Sequence, residues 1–181
     1  MTTTNSDTKL GELILYISQK SARDTYFGAI KLNKILYFSD FIAYGRWGKP
    51  ITGAQYQHLK LGPAPVRLLP VRKELEEARF IAVQPIQVPG GRIQHRTVNL
   101  REPDLSVFDA REIALVDEVI EALRGLNATE ASELSHLELG WKLTEEGDVI
   151  DYRTVFLSDE KLSESEIRRL ERELEKEAQA A

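Results

Sequence analysis

The chain contains no cysteine, which removes disulfides, thiolate nucleophiles and cysteine-based zinc sites together and leaves nothing that calls for an oxidising compartment. No run approaches the roughly 20 apolar residues of a membrane-spanning helix. The opening MTTTNSDTK has neither the basic start nor the apolar stretch of a secretion signal. The expectation is a soluble, unexported, cytoplasmic protein with no membrane association. Histidine is scarce too: His58, His95 and His136 lie far apart, and none falls in the H-E-x-x-H spacing that puts two imidazoles on one helix face. No metal site is expected. Phosphate loops of the G-x-x-x-x-G-K-[ST] or G-x-G-x-x-G kind are missing, and Gly90-Gly91 sits in a turn that precedes no helix. A grouping of Ser135, His136 and Asp151 lacks the G-x-S-x-G elbow, and adjacent Ser and His on a helix point apart. With this machinery missing, the chain reads as a protein that is not an enzyme and uses no cofactor.

What is present is an ordinary globular composition, 42% hydrophobic and 29% charged over 181 residues. That length suits one domain burying about two thirds of its unfolded surface. The net charge of -5 is unevenly spread: residues 1 to 100 hold fourteen Lys/Arg against seven Asp/Glu, and residues 101 to 181 hold ten against twenty-two. Either the halves pack together and neutralise one another, or the first half presents a basic face to an acidic partner.

Periodicity predicts a mainly α protein with a small β component, an α+β domain over residues 9 to 158 after a flexible stretch 1 to 8. Leu10, Leu13, Ile14 and Ile17 mark a first amphipathic helix. The second starts near Tyr26 and is apolar almost all round, which predicts a central, buried position; it is expected to stop at Gly45, with Gly48 and Pro50 preventing its return. A short strand over 54 to 61 with Tyr56 and His58 facing one way should enter the Gly62-Pro63-Ala64-Pro65 turn, followed by a helix within 66 to 79 that either holds Pro70 in its first turns or is kinked by it, and is expected to settle after it. Two β-rich runs around Pro89-Gly90-Gly91 predict a hairpin over 80 to 100. A helix from Phe108 to Leu123, a short one capped by Thr129, and extended chain around Val149 to Phe156 complete the body. Residues 159 to 181 predict a charged C-terminal helix with a narrow apolar line of Ile167, Leu170, Leu174 and Ala178. It should dock weakly on the body or pair with a second copy as a homodimer.

Two features bear on binding. Asn33, Tyr37, Asp40 and Tyr44 share one face of the central helix. They either bond to nearby backbone, as buried polar groups must, or form a contact strip for another protein. Arg92, His95 and Arg96 in the hairpin would suit a basic wing on phosphates, but the acidic chain favours a solvated hairpin, so nucleic acid is not an expected partner.

The order KLNKILYFSDFIAYGRWGKPI, LKLGPAPV, LSHLELGW and VIDY resembles the Panacea domain of the SocA-like antitoxin family over about residues 10 to 157. Lys31, Leu32, Lys34, Leu36 and Tyr37 match its first motif, Gly48 and Pro50 a turn, Gly62 and Pro63 a second turn, and Ser135, His136 and Trp141 the last. Leu61 stands where the family tends to have an aromatic, and Ala64-Pro65 separate Gly62-Pro63 from Val66. The resemblance implies the antitoxin of a prokaryotic, phage-associated toxin-antitoxin system, neutralising a toxin encoded by a neighbouring gene through protein-protein interaction. In one branch the antitoxin resembles an adaptor, which would add a protease as partner. A winged-helix-like DNA-binding transcriptional regulator is the alternative. On the central helix the residues expected to meet a partner are Lys31, Lys34, Tyr37, Asp40 and Tyr44, with Trp47 after it. Gly62, Pro63, Ser135, His136 and Trp141 complete that set.

Overall fold

The computed structural model describes residues 5 to 88 and 91 to 158. Helix α1 (Asn5–Lys20) begins four residues before the expected Lys9, so residues 5 to 8 belong to the helix. Helix α2 (Ala29–Trp47) runs through the middle and packs on α1, on α4 (Ala110–Leu123) and on α5 (Ala128–His136). Its apolar surface all round is the cause: a helix with no polar face gains most when neighbours cover every side. It does not stop at Gly45, which lies inside the helix with Val155 against it. A helical glycine costs only about 1 kcal/mol, whereas the true end needs the left-handed residue Gly48, at φ 68, whose N–H bonds back to the Tyr44 carbonyl.

The first sheet is smaller than expected. Strands β1 (Tyr56–Gln57), β2 (Ala64–Pro65) and β5 (Val149–Ile150) pair antiparallel in the order β2-β1-β5, with Tyr56 opposite both Pro65 and Ile150. Pro65, which cannot donate to a ladder, is tolerated because β2 is an edge strand. Helix α3 (Leu68–Glu77) holds Pro70 in its first turn, one of the two expected placements, rather than settling after it. Proline fits there because the first-turn N–H groups have no helical acceptor to lose.

The hairpin β3 (Ile81–Gln87) and β4 (Ile93–Asn99) pairs in register from Ile81 opposite Asn99 to Gln87 opposite Ile93. Of its expected turn, Pro89 and Gly90 lie outside the described residues. Helix α4 opens with a reciprocal capping box of Asp109 and Glu112. The cap of α5 is Asn127, not Thr129: its carbonyl oxygen accepts from Thr129 N and Glu130 N. Helix α6 (Leu139–Lys142) and a 3-10 turn (Tyr152–Phe156) complete the described fold. The expected helix at 159 to 181 lies outside the described residues.

The core gathers Leu10, Leu13, Ile14 and Ile17 of α1, Leu32, Ile35, Leu36 and Phe41 of α2, and Leu115, Val116, Val119 and Ile120 of α4. The opposite charges of the two halves meet along one seam, where Lys9, Lys20 and Arg46 pair with Glu112, Asp117 and Glu118 of α4. Among the described residues no helix is long and apolar enough to cross a membrane.

Candidate functional site

Of the polar residues that α2 carries into the core, Lys31, Lys34 and Asp40 each meet a different neighbour, whereas Asn33 Oδ1 and Ser39 Oγ are buried with no hydrogen-bond partner among the described residues. Lys31, 1% exposed, donates to Asp24 Oδ2 at 2.7 Å, and Asp24 Oδ1 accepts from Tyr26 N at 2.9 Å. Two buried opposite charges offset each other's desolvation, and deleting one partner would strand the other at a cost of about 3 to 5 kcal/mol.

Lys34, also 1% exposed, has no carboxylate. Its ammonium donates to the Pro63 carbonyl at 3.2 Å, and burial pulls its pKa down to about 7. Gly62 makes this approach possible. Its φ is 91, and a Cβ at that position would overlap Ser135 Oγ and Lys34 Nζ. Both the left-handed backbone and the missing side chain are therefore required there. Helix α5 is fastened to the same turn, with Ser132 Oγ donating to Leu61 O at 2.8 Å and buried Ser135 Oγ to Ser132 O at 2.7 Å.

Beside this knot the Trp141 indole lies between two imidazoles. His58 stacks at 4.3 Å between centroids and His136 at 4.0 Å, while Trp141 Nε1 donates to Leu59 O at 3.2 Å. His58 Nδ1 is 3.1 Å from Thr144 Oγ1. The buried Nε2 of His136 has no hydrogen-bond partner among the described residues. Its pKa is lowered, first by burial and then by the positive charges of Lys34 and His58. Among the described residues no group of three or more His, Asp or Glu side chains could hold a metal ion.

Tyr37 is enclosed by Phe38, Phe41 and Tyr56 at ring distances of 5.3, 4.2 and 5.7 Å. Burial raises its pKa, with Glu138 adding to the effect. Asp40, wholly buried, accepts from Thr52 N at 2.7 Å, Thr52 Oγ1 at 2.5 Å and Tyr56 OH at 2.9 Å. The Tyr152 hydroxyl lies 3.4 Å away and donates to Ala54 O at 2.6 Å. Burial raises the Asp40 pKa, and these hydrogen bonds oppose the rise. Half-buried Tyr44 stacks on Tyr152 at 5.4 Å and meets Phe156 at 5.8 Å, and half-buried Trp47 takes the Arg111 guanidinium over its ring at 4.9 Å.

The four-residue strip is thus not one surface: Tyr37 and Asp40 belong to the core, and Asp40 bonds to backbone just past the helix. Lys34, Gly62, Pro63 and Ser135 meet in one knot with His136 and Trp141 beside it. Lys31, Asp40, Tyr44 and Trp47 lie in other arrangements. Alternation along 54 to 61 put His58 on the face of Tyr56, as found, but gave it no role, and nothing in the sequence pattern singles out Glu138 or Asp24. Of the basic residues expected on the hairpin wing, Arg96 is withdrawn: its guanidinium donates to the carbonyls of Ala22, Asp24, Thr25 and Phe27 at 2.5 to 3.2 Å, so it is not available to phosphate, while Arg92 and His95 stay exposed. Nor is the hairpin simply solvated, since β4 packs on α1 and on the start of α2.

A family model described as Antitoxin SocA-like, Panacea domain matches residues 32 to 142. That span takes in Lys34, Gly62, Pro63, Ser135, His136 and Trp141 and begins one residue after Lys31. It is narrower than the 10 to 157 of the motif resemblance. No curated protein and no solved structure matches the chain.

Proposed function

The chain belongs to the SocA-like antitoxin family of the Panacea domain, and on that premise we propose that it is the antitoxin of a toxin-antitoxin module, neutralising a toxin encoded beside it by direct protein-protein binding. The family match over 32 to 142 carries this reading. This reading divides the labour among the motif residues. The motif residues Lys34, Gly62, Pro63 and Ser135 are buried and bonded to one another or to local backbone. They act as a framework that fixes α5 and the 59 to 63 turn against α2. Contact with the toxin falls to side chains around that framework, half-buried His136 and Trp141 among them. The action is non-catalytic and needs no cofactor, and its setting is the cytoplasm, where the toxin is made.

The test is growth of cells expressing the neighbouring gene, with and without this chain, followed by co-purification of the two proteins. Rescue of growth with a stable complex is the expected result. A harmless neighbour, or one that stays toxic while this chain is abundant and folded, refutes the reading. The toxin's half-life in the same cells separates sequestration from delivery to a protease: it lengthens or holds in the first case and shortens in the second.

A further inference from the structure

Three apolar side chains that a folded monomer would be expected to cover line one cleft and stay open to solvent: Tyr26 is 43% exposed, Leu61 55% and Ile93 65%. They come from the α1–α2 loop, the turn before Gly62 and the start of β4. Ile30 adds to the apolar lining, and α5 with its cap lines the cleft between Asn127 and His136, opposite further residues of the start of α2 and of the hairpin, for a volume of about 910 Å³. Pockets that enclose small ligands bury most of the ligand's surface within roughly 300 to 1,000 Å³. With its apolar lining this exposed, the cleft does not enclose a molecule; its size suits a few side chains of another polypeptide laid along it.

Its charges are also arranged for a partner. Lys31 at the floor is neutralised by Asp24, and Glu130 is held by Asn127 N at 2.7 Å. Arg92, from the hairpin, and Glu133, from α5, both line the cleft, and neither side chain makes an ion pair or hydrogen bond among the described residues, Glu133 being felt only electrostatically by His136. A cation and an anion free of ion pairs and hydrogen bonds, on different elements of a cleft that apolar side chains also line, define the complementary chemistry.

We infer that this cleft receives a short apolar segment of the toxin, with an acidic side chain placed on Arg92, a basic one placed on Glu133, and apolar side chains on Tyr26, Ile30, Leu61 and Ile93. The inference rests on the antitoxin reading and names the surface and the partner chemistry. Apolar contacts supply most of the affinity, and the two charges fix the direction in which the segment lies.

The test measures binding of the purified product of the neighbouring gene to the full-length chain. Leu61→Asp and Ile93→Asp are each expected to weaken Kd by about tenfold or more, and Arg92→Glu to slow association at low salt. Leu69→Asp, at an exposed α3 position that does not line the cleft, should bind as the parent does. All four side chains are exposed, so thermal melts should match the parent; should an aspartate variant melt lower, Arg92→Glu and Glu133→Lys carry the comparison. With position 61 replaced by photo-reactive p-benzoylphenylalanine, cross-linking should attach to an apolar toxin segment bearing an acidic residue. No binding by the parent chain overturns the antitoxin reading and this inference together. Binding that survives every cleft variant, or a cross-link to a purely polar surface, overturns the cleft alone.

Discussion

Replacing Lys34 by methionine should remove a rise of stability with pH that the parent protein shows above neutrality. The ammonium is buried without a carboxylate, and its pKa falls from the ordinary 10.5 to about 7 in the folded chain. Between those values the unfolded chain holds a proton that the folded chain has released, so unfolding becomes less favourable as pH rises. Below pH 7 both states are charged, and the folded state bears the full burial penalty. Each pH unit in the window is worth about 1.4 kcal/mol, so from pH 7.5 to 9.5 the parent should gain about 2 to 3 kcal/mol relative to Lys34→Met. The variant also leaves the Pro63 carbonyl without its donor, at a cost of about 1 to 3 kcal/mol. That cost displaces the whole curve and leaves its slope alone. With a urea dependence of about 1 to 3 kcal/mol per molar, the difference between the two proteins' unfolding midpoints should change by about 1 to 2 M across the window. Tyr37, Tyr56 and Tyr152 have raised pKa values, so their own contributions fall above pH 10 and do not interfere. Parallel midpoints of parent and variant from pH 7.5 to 9.5 would refute a depressed Lys34.

Asp40→Ala should cost about 2 to 5 kcal/mol, because Thr52 N and the Tyr56 hydroxyl are left buried without their acceptor; a melt within a few degrees of the parent contradicts this. Gly62→Ala meets Lys34, Ser135 and a φ of 91, and overpacking with backbone strain should destabilise by about 2 to 4 kcal/mol, read as a fall in the urea midpoint. Tyr37→Ala should cost about 3 to 5 kcal/mol as a core truncation, while Tyr44→Ala, half-buried, should cost clearly less. Equal losses in thermal melts would show that the two positions are not core and margin.

The secondary elements that repeat a local pattern were readable from the chain. The 3.6-residue spacing of Leu10, Leu13, Ile14 and Ile17 marks α1, and the β-rich runs at 80 to 100 mark the hairpin. Ends decided by backbone conformation were harder: Gly45 and Gly48 are the same residue type three apart, and only Gly48 takes the left-handed conformation that ends α2. The two-residue strands β1, β2 and β5 are too short for alternation to register, and the β5 partners of Tyr56 and Gln57, Ile150 and Val149, come from more than 90 residues further along the chain.

By itself, then, the amino-acid order determined that α2 would be central, because a helix apolar on every side must be covered on every side, and its motifs carried the family. It could not determine where each polar residue of that helix would go, for the same reason: with no polar face there is no facing direction to read. Lys34 finds Pro63, Asp40 finds Thr52 and Tyr56, and Lys31 finds Asp24. His58 and His136, far apart in the chain, close on opposite sides of Trp141. Each pairing satisfies a buried polar or aromatic group with a partner that only the packed chain brings within reach, and periodicity, being local, holds no record of it.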